Sequence, residues 1–109
     1  MRQRALVVVA VVASSSWGCG RTVSCEVDLG MCHEWVDASP GLRREIEDAV
    51  CHKHDEHFAE RACPRAGVAA VCELAGGHER TYFYEGHAAI DPATICRDSG
   101  GRLLAGPAR

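Results

Sequence analysis

Seven cysteines in a chain of 109 residues constrain this sequence more than any other feature. They stand at Cys19, Cys25, Cys32, Cys51, Cys63, Cys72 and Cys96. A chain of this length forms one domain at most, and small domains bury only a modest share of their surface. Large apolar residues are also sparse beyond the first twenty positions: Leu29, Leu42, Ile46, Phe58, Leu74, Phe83, Ile90, Ile95, Leu103 and Leu104 are nearly all of them. A disulfide typically adds ~2–4 kcal/mol by restricting the unfolded chain, so several can offset a thin core. Such bonds persist only in an oxidising compartment.

The start of the chain agrees with that compartment. Arg2 and Arg4 precede an unbroken apolar run, Ala5 to Ala13, and a small, polar stretch from Ser14 to Gly18 follows. This order is the pattern of a secretory signal peptide. The run is far short of the ~20 apolar residues needed to span a bilayer. An odd cysteine count in an exported chain leaves one thiol to explain. Cys19 directly follows the polar stretch, where bacterial lipoproteins carry the cysteine that is diacylated. Ser16-Trp17-Gly18-Cys19 matches a lipobox at Gly18 and departs from it at Ser16 and Trp17. The expected organisation is a signal peptide over 1–18, a lipidated anchor and linker over 19–24, and a cysteine-rich domain over 25–109. The alternative is ordinary cleavage near Ser16 or Gly18, which leaves Cys19 free or paired with another chain. Losing Arg2 and Arg4 moves the formal net charge from −3 to −5. That balance argues against a nucleic-acid partner, since phosphate binding needs a basic face. Membrane affinity would come from acyl chains.

The elements alternate. Met31 to Val36 reads as a strand. Ser39-Pro40 is a helix start, and Leu42, Ile46, Ala49 and Val50 recur at helical spacing, which predicts a helix over 41–53. Gly67 to Leu74 and His78 to Tyr84 read as strands joined by the turn Ala75-Gly76-Gly77. Asp91-Pro92 opens a second helix over Ala93 to Arg97, ended by Gly100-Gly101, and Leu103-Leu104 returns as a short strand. The expected fold is α+β: a small disulfide-rich domain with one β-hairpin. A weak echo in the cysteines, Cys25/Cys32/Cys51 against Cys63/Cys72/Cys96, points to a duplicated strand–helix unit. Phe58 and Leu103 follow the third cysteine of each set at equal spacing. A pairing that respects this echo is Cys32–Cys51, Cys72–Cys96 and Cys25–Cys63, with the other connectivities of six cysteines still open.

The stretch from Cys25 to Leu103 resembles the short cysteine-rich lipoproteins of unknown function that some social soil bacteria carry in many divergent copies. The resemblance rests on Cys32-His33-Glu34-Trp35, Ala62-Cys63-Pro64, Val71-Cys72, Tyr82-Phe83-Tyr84 and Cys96 followed by Gly100-Gly101. In that family a Gly-Gly-x-aromatic often follows each helical cysteine. This chain has Leu103 after its second glycine pair, and Asp55-Glu56 before Phe58 in the first half. The resemblance implies an exported, lipid-anchored fold and no particular activity.

Candidate chemistry is limited. His52, His54 and His57 lie among Lys53, Asp55 and Glu56, and such a tract is a cue for Zn²⁺ or Cu²⁺. On a helix, His54 and His57 would share a side with Glu60. The competing reading is a solvated helix end that complements the helix dipole. Cys-x-x-Cys, Cys-x-x-Cys-His and His-Glu-x-x-His are all absent. Alternation along Thr81-Tyr82-Phe83-Tyr84 puts Phe83 on a core face and offers Tyr82 and Tyr84 as a binding face. The function class expected is therefore a non-enzymatic envelope module at the outer membrane or cell surface, structural or binding a protein or glycan. Metal binding through His52, His54 and His57 is the alternative.

Overall fold

The computed structural model describes residues 20–104. The expected signal peptide, its cleavage site and Cys19 lie outside the described residues, as do residues 105–109. The elements run β1 (Arg21–Val27), β2 (Met31–Ala38), α1 (Pro40–Glu45, continuing as a π turn over Ile46–Val50), β3 (Glu56–Ala59), β4 (Val68–Leu74), a 3₁₀ turn (Ala75–Gly77), β5 (Glu79–Tyr84), α2 (Pro92–Asp98) and β6 (Arg102–Leu104). The strands form one antiparallel sheet in the order β3-β1-β2-β5-β4-β6. The fold is α+β, as the sequence predicts, but with two hairpins, β1–β2 and β4–β5, where one was expected.

Three assignments change. Residues 21–24, expected as linker, begin β1, and Val23 is fully buried there. The folded domain therefore starts before Cys25. Residues 56–59 form β3, against Cys25 and its neighbours in β1. The helical segment ends at Val50 rather than at Lys53, because Cys51 leaves it with its N–H on the carbonyl of Ile46 at 2.7 Å. Of the apolar set Leu42, Ile46, Ala49 and Val50, only Ile46 is buried.

The helix ends follow the sequence signals. Ser39 caps α1, its Oγ accepting the Leu42 N–H at 3.2 Å, with Pro40 in the first turn. Asp91 occupies the cap position of α2, where its carboxylate accepts the Thr94 hydroxyl at 2.5 Å. At the other end, the Gly101 N–H donates to the Cys96 carbonyl at 2.9 Å and the Gly100 N–H to the Arg97 carbonyl at 3.0 Å. This is the Schellman arrangement, and Gly100 has the positive φ of 77° that it requires.

Side-chain rows explain where the core lies. Directly opposed residues across β3-β1-β2-β5-β4-β6 are Phe58, Cys25, His33, Thr81, Cys72 and Leu103 on the helix side. On the other side one row is His57, Glu26, Cys32, Tyr82, Val71 and Leu104. Helix α1 covers Val23, Ala38 and Cys25, and α2 covers Ala70, Cys72 and Phe83. The segment 60–67 lies over the opposite face, where Cys63 packs with Cys32, Val68, Val71 and Tyr82.

The disulfides are Cys25–Cys51, Cys32–Cys63 and Cys72–Cys96. Cys72–Cys96 is as expected. Cys32–Cys51 and Cys25–Cys63 are not formed. Cys32 points to the face opposite α1, so it cannot reach Cys51, while Cys25 points towards it. The positions that correspond in the sheet are accordingly Cys25 and Cys72, not Cys32 and Cys72.

Candidate binding cleft around Tyr84

Glu34 organises the face opposite the helices. It lies in β2 with its side chain only 2 % exposed. Its Oε1 accepts the Cys63 N–H at 2.8 Å and Arg65 Nη1 at 3.0 Å, and its Oε2 accepts the Tyr82 hydroxyl at 3.2 Å. Arg65 also donates to the Cys63 carbonyl at 2.9 Å, and its guanidinium lies 4.5 Å over the Tyr82 ring. The carboxylate holds the Arg65 guanidinium above its ordinary pKa through this hydrogen bond. A buried charge is tolerated where its lone pairs are engaged in this way. With both oxygens hydrogen-bonded and only a sliver of its side chain exposed, Glu34 anchors the segment around Cys63 and Arg65.

Together with the Cys32–Cys63 disulfide, this anchor fixes Pro64. The Tyr84 hydroxyl donates to the Pro64 carbonyl at 2.8 Å. Burial pushes the Tyr84 phenol up to about 12, with the Glu26 carboxylate adding to the effect. Tyr84 therefore remains a protonated donor throughout the physiological range. Its ring separates two clefts. One, of about 350 Å³, runs between Ala69, Glu85, His87, Ala88 and Ile90. The other, of about 290 Å³, runs between Glu26, Asp28, Met31, Pro64 and Ala66. Gly30 and His87 tie the two together. A Cβ on Gly30 would collide with the His87 ring, and Gly30 has a φ of 89° that disfavours a side chain.

Tyr84 keeps part of its ring at the surface, half-buried between the two clefts. Tyr82 does not. It is fully buried, under Arg65 and beside the Cys32–Cys63 bond, so the expected two-tyrosine face is corrected to Tyr84 alone. Alternation assigns one face of a strand to solvent only when one face of the sheet is bare, and β5 is covered on both. Phe83 is in the core as expected, and Trp35 is half-buried against the core beneath α1. No known protein family, curated protein or solved structure matches this chain.

The histidine tract is spread by the strand that replaces the expected helix. His52 and His54 are exposed in the loop after α1. His57 lies in β3, with its Nε2 3.0 Å from Asp28 Oδ1 across the turn between β1 and β2. Cys51 is committed to Cys25. Among the described residues no group of three or more ligating side chains converges on a metal position. No described helix is long and apolar enough to cross a membrane.

His33, part of the Cys32-His33-Glu34-Trp35 motif, occupies the centre of the helix-side face. Its Nδ1 and Thr81 Oγ1 share a hydrogen bond of 2.9 Å, and its ring lies 6.3 Å from Trp35. Burial holds its pKa below the ordinary value, partly countered by the Glu79 and Glu56 carboxylates. It is a packed imidazole whose burial disfavours protonation. No sequence motif joins Arg65 and Glu34 as a pair. The only sequence signal for them is an acidic residue two positions after one cysteine and a basic residue two positions after another.

Proposed function

We propose that the chain is an exported binding module of the bacterial envelope, without catalytic activity, held at a membrane by a lipid on Cys19. In this reading it belongs with the small cysteine-rich lipoproteins that its motifs resemble, and its partner docks at the clefts on either side of Tyr84. The observation that carries the reading is the way Tyr84 is held. A disulfide, the hydrogen-bonded Glu34 and the close approach of Gly30 to His87 leave a preformed, partly apolar double cleft, with no activated nucleophile beside it among the described residues. A preformed concave surface with few polar groups is the usual form of a binding site. A rigid scaffold also limits the entropy lost on association.

The test is proximity capture on intact cells, comparing wild type with Ala88→Trp and Ala66→Trp, exposed positions where a ring fills one cleft or the other. The partner is expected in the wild-type capture and not with the filled variants. An identical set of captured molecules from all three would refute the Tyr84 site. Intact mass of the purified protein tests the anchor independently: acyl chains on Cys19 are expected, and an unmodified N-terminus elsewhere would rule the anchor out.

A further inference from the structure

We infer that the double cleft takes a cationic, partly apolar peptide segment laid across Tyr84, an inference that rests on the binding reading above. Charge complementarity carries it. Glu26 and Asp28 line one cleft and Glu85 the other, whereas no Lys or Arg lines either. Arg65, between cleft residues Pro64 and Ala66 in sequence, has its guanidinium hydrogen-bonded to Glu34 and over the Tyr82 ring. Glu26 and Glu85 make no ion pair among the described residues, and Asp28 has only the exposed His57. A chain of net negative charge thus sets three carboxylates along these two clefts, while the Arg65 charge is matched by Glu34.

The apolar half of the partner follows from the walls. Met31, Pro64 and Ala66 line one cleft, and Ala69, Ala88 and Ile90 the other. Leu29, at the tip of the turn between Asp28 and Gly30, is 57 % exposed beside them. A peptide with alternating basic and aliphatic side chains meets both requirements: aliphatic groups enter the clefts and basic groups reach the rim. A glycan fits less well. Neither cleft is lined by an Asn or Gln amide, and the Tyr84 hydroxyl is already committed to Pro64. An acidic peptide would be repelled. Complementary rim charges act mainly on specificity and association rate, and they are weakened by salt.

Fluorescence polarisation on the oxidised protein tests this with labelled peptides that alternate Lys or Arg with Leu or Val. Matched peptides carry Gln or Glu at the basic positions. The basic peptides are expected to bind about tenfold or more tightly than their Gln counterparts, with the Glu series weakest. A triple E26Q/D28N/E85Q variant and raised salt should each remove most of that preference. Ala66→Trp and Ala88→Trp, which keep the charge, should abolish binding. Equal binding of Lys and Gln peptides, lost in the filled variants, would overturn the cationic partner and leave the cleft reading intact. Basic peptides that still bind both filled variants would show general attraction to an acidic protein and overturn both. Binding of neutral glycans alone, lost in the filled variants, would replace the peptide while keeping the site.

Discussion

The two halves of this molecule run the same course and are finished differently. Each consists of a hairpin, a helix and a short third strand that returns to the outer edge of its hairpin, β3 on β1 and β6 on β4. In each, a disulfide ties the first strand to the helix, Cys25–Cys51 in one and Cys72–Cys96 in the other, and the third strand sets Phe58 or Leu103 opposite the strand cysteine. The halves meet along β2 and β5, where His33 faces Thr81. The C-terminal half buries Phe83 completely and closes α2 with a Schellman turn tight against its disulfide. The N-terminal half ends α1 in a π turn, leaves Leu42 and Val50 exposed, and covers Trp35 only in part. The third disulfide, Cys32–Cys63, repeats nothing: it pins the connection between halves and so shapes the cleft. Two of the disulfides act within a half, whereas the clefts around Tyr84 depend on the segment between the halves.

That contrast breaks first at the aromatic positions. Phe83→Ala should cost about 3–5 kcal/mol and Trp35→Ala about 1–3, because the latter ring is already partly in water. Guanidinium unfolding checks this, and equal losses would mean the two halves are packed alike. Next come the disulfides. Replacing Cys32 and Cys63 together by Ala should cost about 2–4 kcal/mol, much as removal of Cys25–Cys51 or Cys72–Cys96 does. Only the Cys32/Cys63 variant should also weaken binding at Tyr84, measured by polarisation with the same peptides. Gly101 sharpens the comparison further. A Cβ there would sit 2.5 Å from Cys72 Sγ, so Gly101→Ala should destabilise by about 1–3 kcal/mol. Glu56→Ala, at the equivalent spacing after Cys51, should stay within about 0.5 kcal/mol. A smaller loss, about 0.5–1.5 kcal/mol, is expected for Tyr84→Phe, which removes the hydrogen bond to Pro64.

The last prediction concerns the seam between halves. The folded state holds the His33 pKa below 6.5, chiefly by burial. The unfolded chain therefore binds the extra proton first as pH falls through 6.5, and stability declines below that value until the folded-state pKa is passed. Unfolding measured between about pH 7 and pH 5 should show this slope, and His33→Gln should flatten it. An unchanged slope would assign the acid sensitivity to other groups. Glu73 and Asp91, lowered by hydrogen bonds from Arg102 and Thr94 respectively, contribute only at lower pH.

Much of this fold was legible because local chemistry dictates it. Ser39-Pro40 and Asp91-Pro92 start helices for steric and hydrogen-bonding reasons that tertiary contacts did not override. Ala75-Gly76-Gly77 turns the second hairpin because Gly76 and Gly77 take positive φ readily. What escaped depended on partners distant in sequence. Val23, Cys25 and Val27 alternate with Ser24 and Glu26, a strand signal obscured by the expectation of a linker after the anchor. β3 carries Phe58 as its one large apolar residue, and its His57, read together with His52 and His54, suggested a site and not an edge strand. The disulfides could not be assigned from spacing, because which face of β2 a cysteine occupies is settled by the elements that cover that face. The same gap hid Tyr82: period-two alternation separates the faces of a strand but does not say that both are buried. Glu34 and Arg65 are separated by a strand-to-loop crossing that no local pattern encodes. Of the candidate site, the sequence supplied Tyr84 and the aromatic cue, while the walls and the acidic rim emerged from the packing of loops.

The connectivity of the cysteines decides whether this architecture is right, since it fixes which face each strand turns to each covering element. Peptide mapping by mass spectrometry of the unreduced protein, digested at low pH to prevent exchange, measures it directly. The expected cross-linked peptides join Cys25 to Cys51, Cys32 to Cys63 and Cys72 to Cys96. Peptides joining Cys32 to Cys51 and Cys25 to Cys63, or free thiols at any of the six, would contradict the fold and remove the support for the Tyr84 cleft.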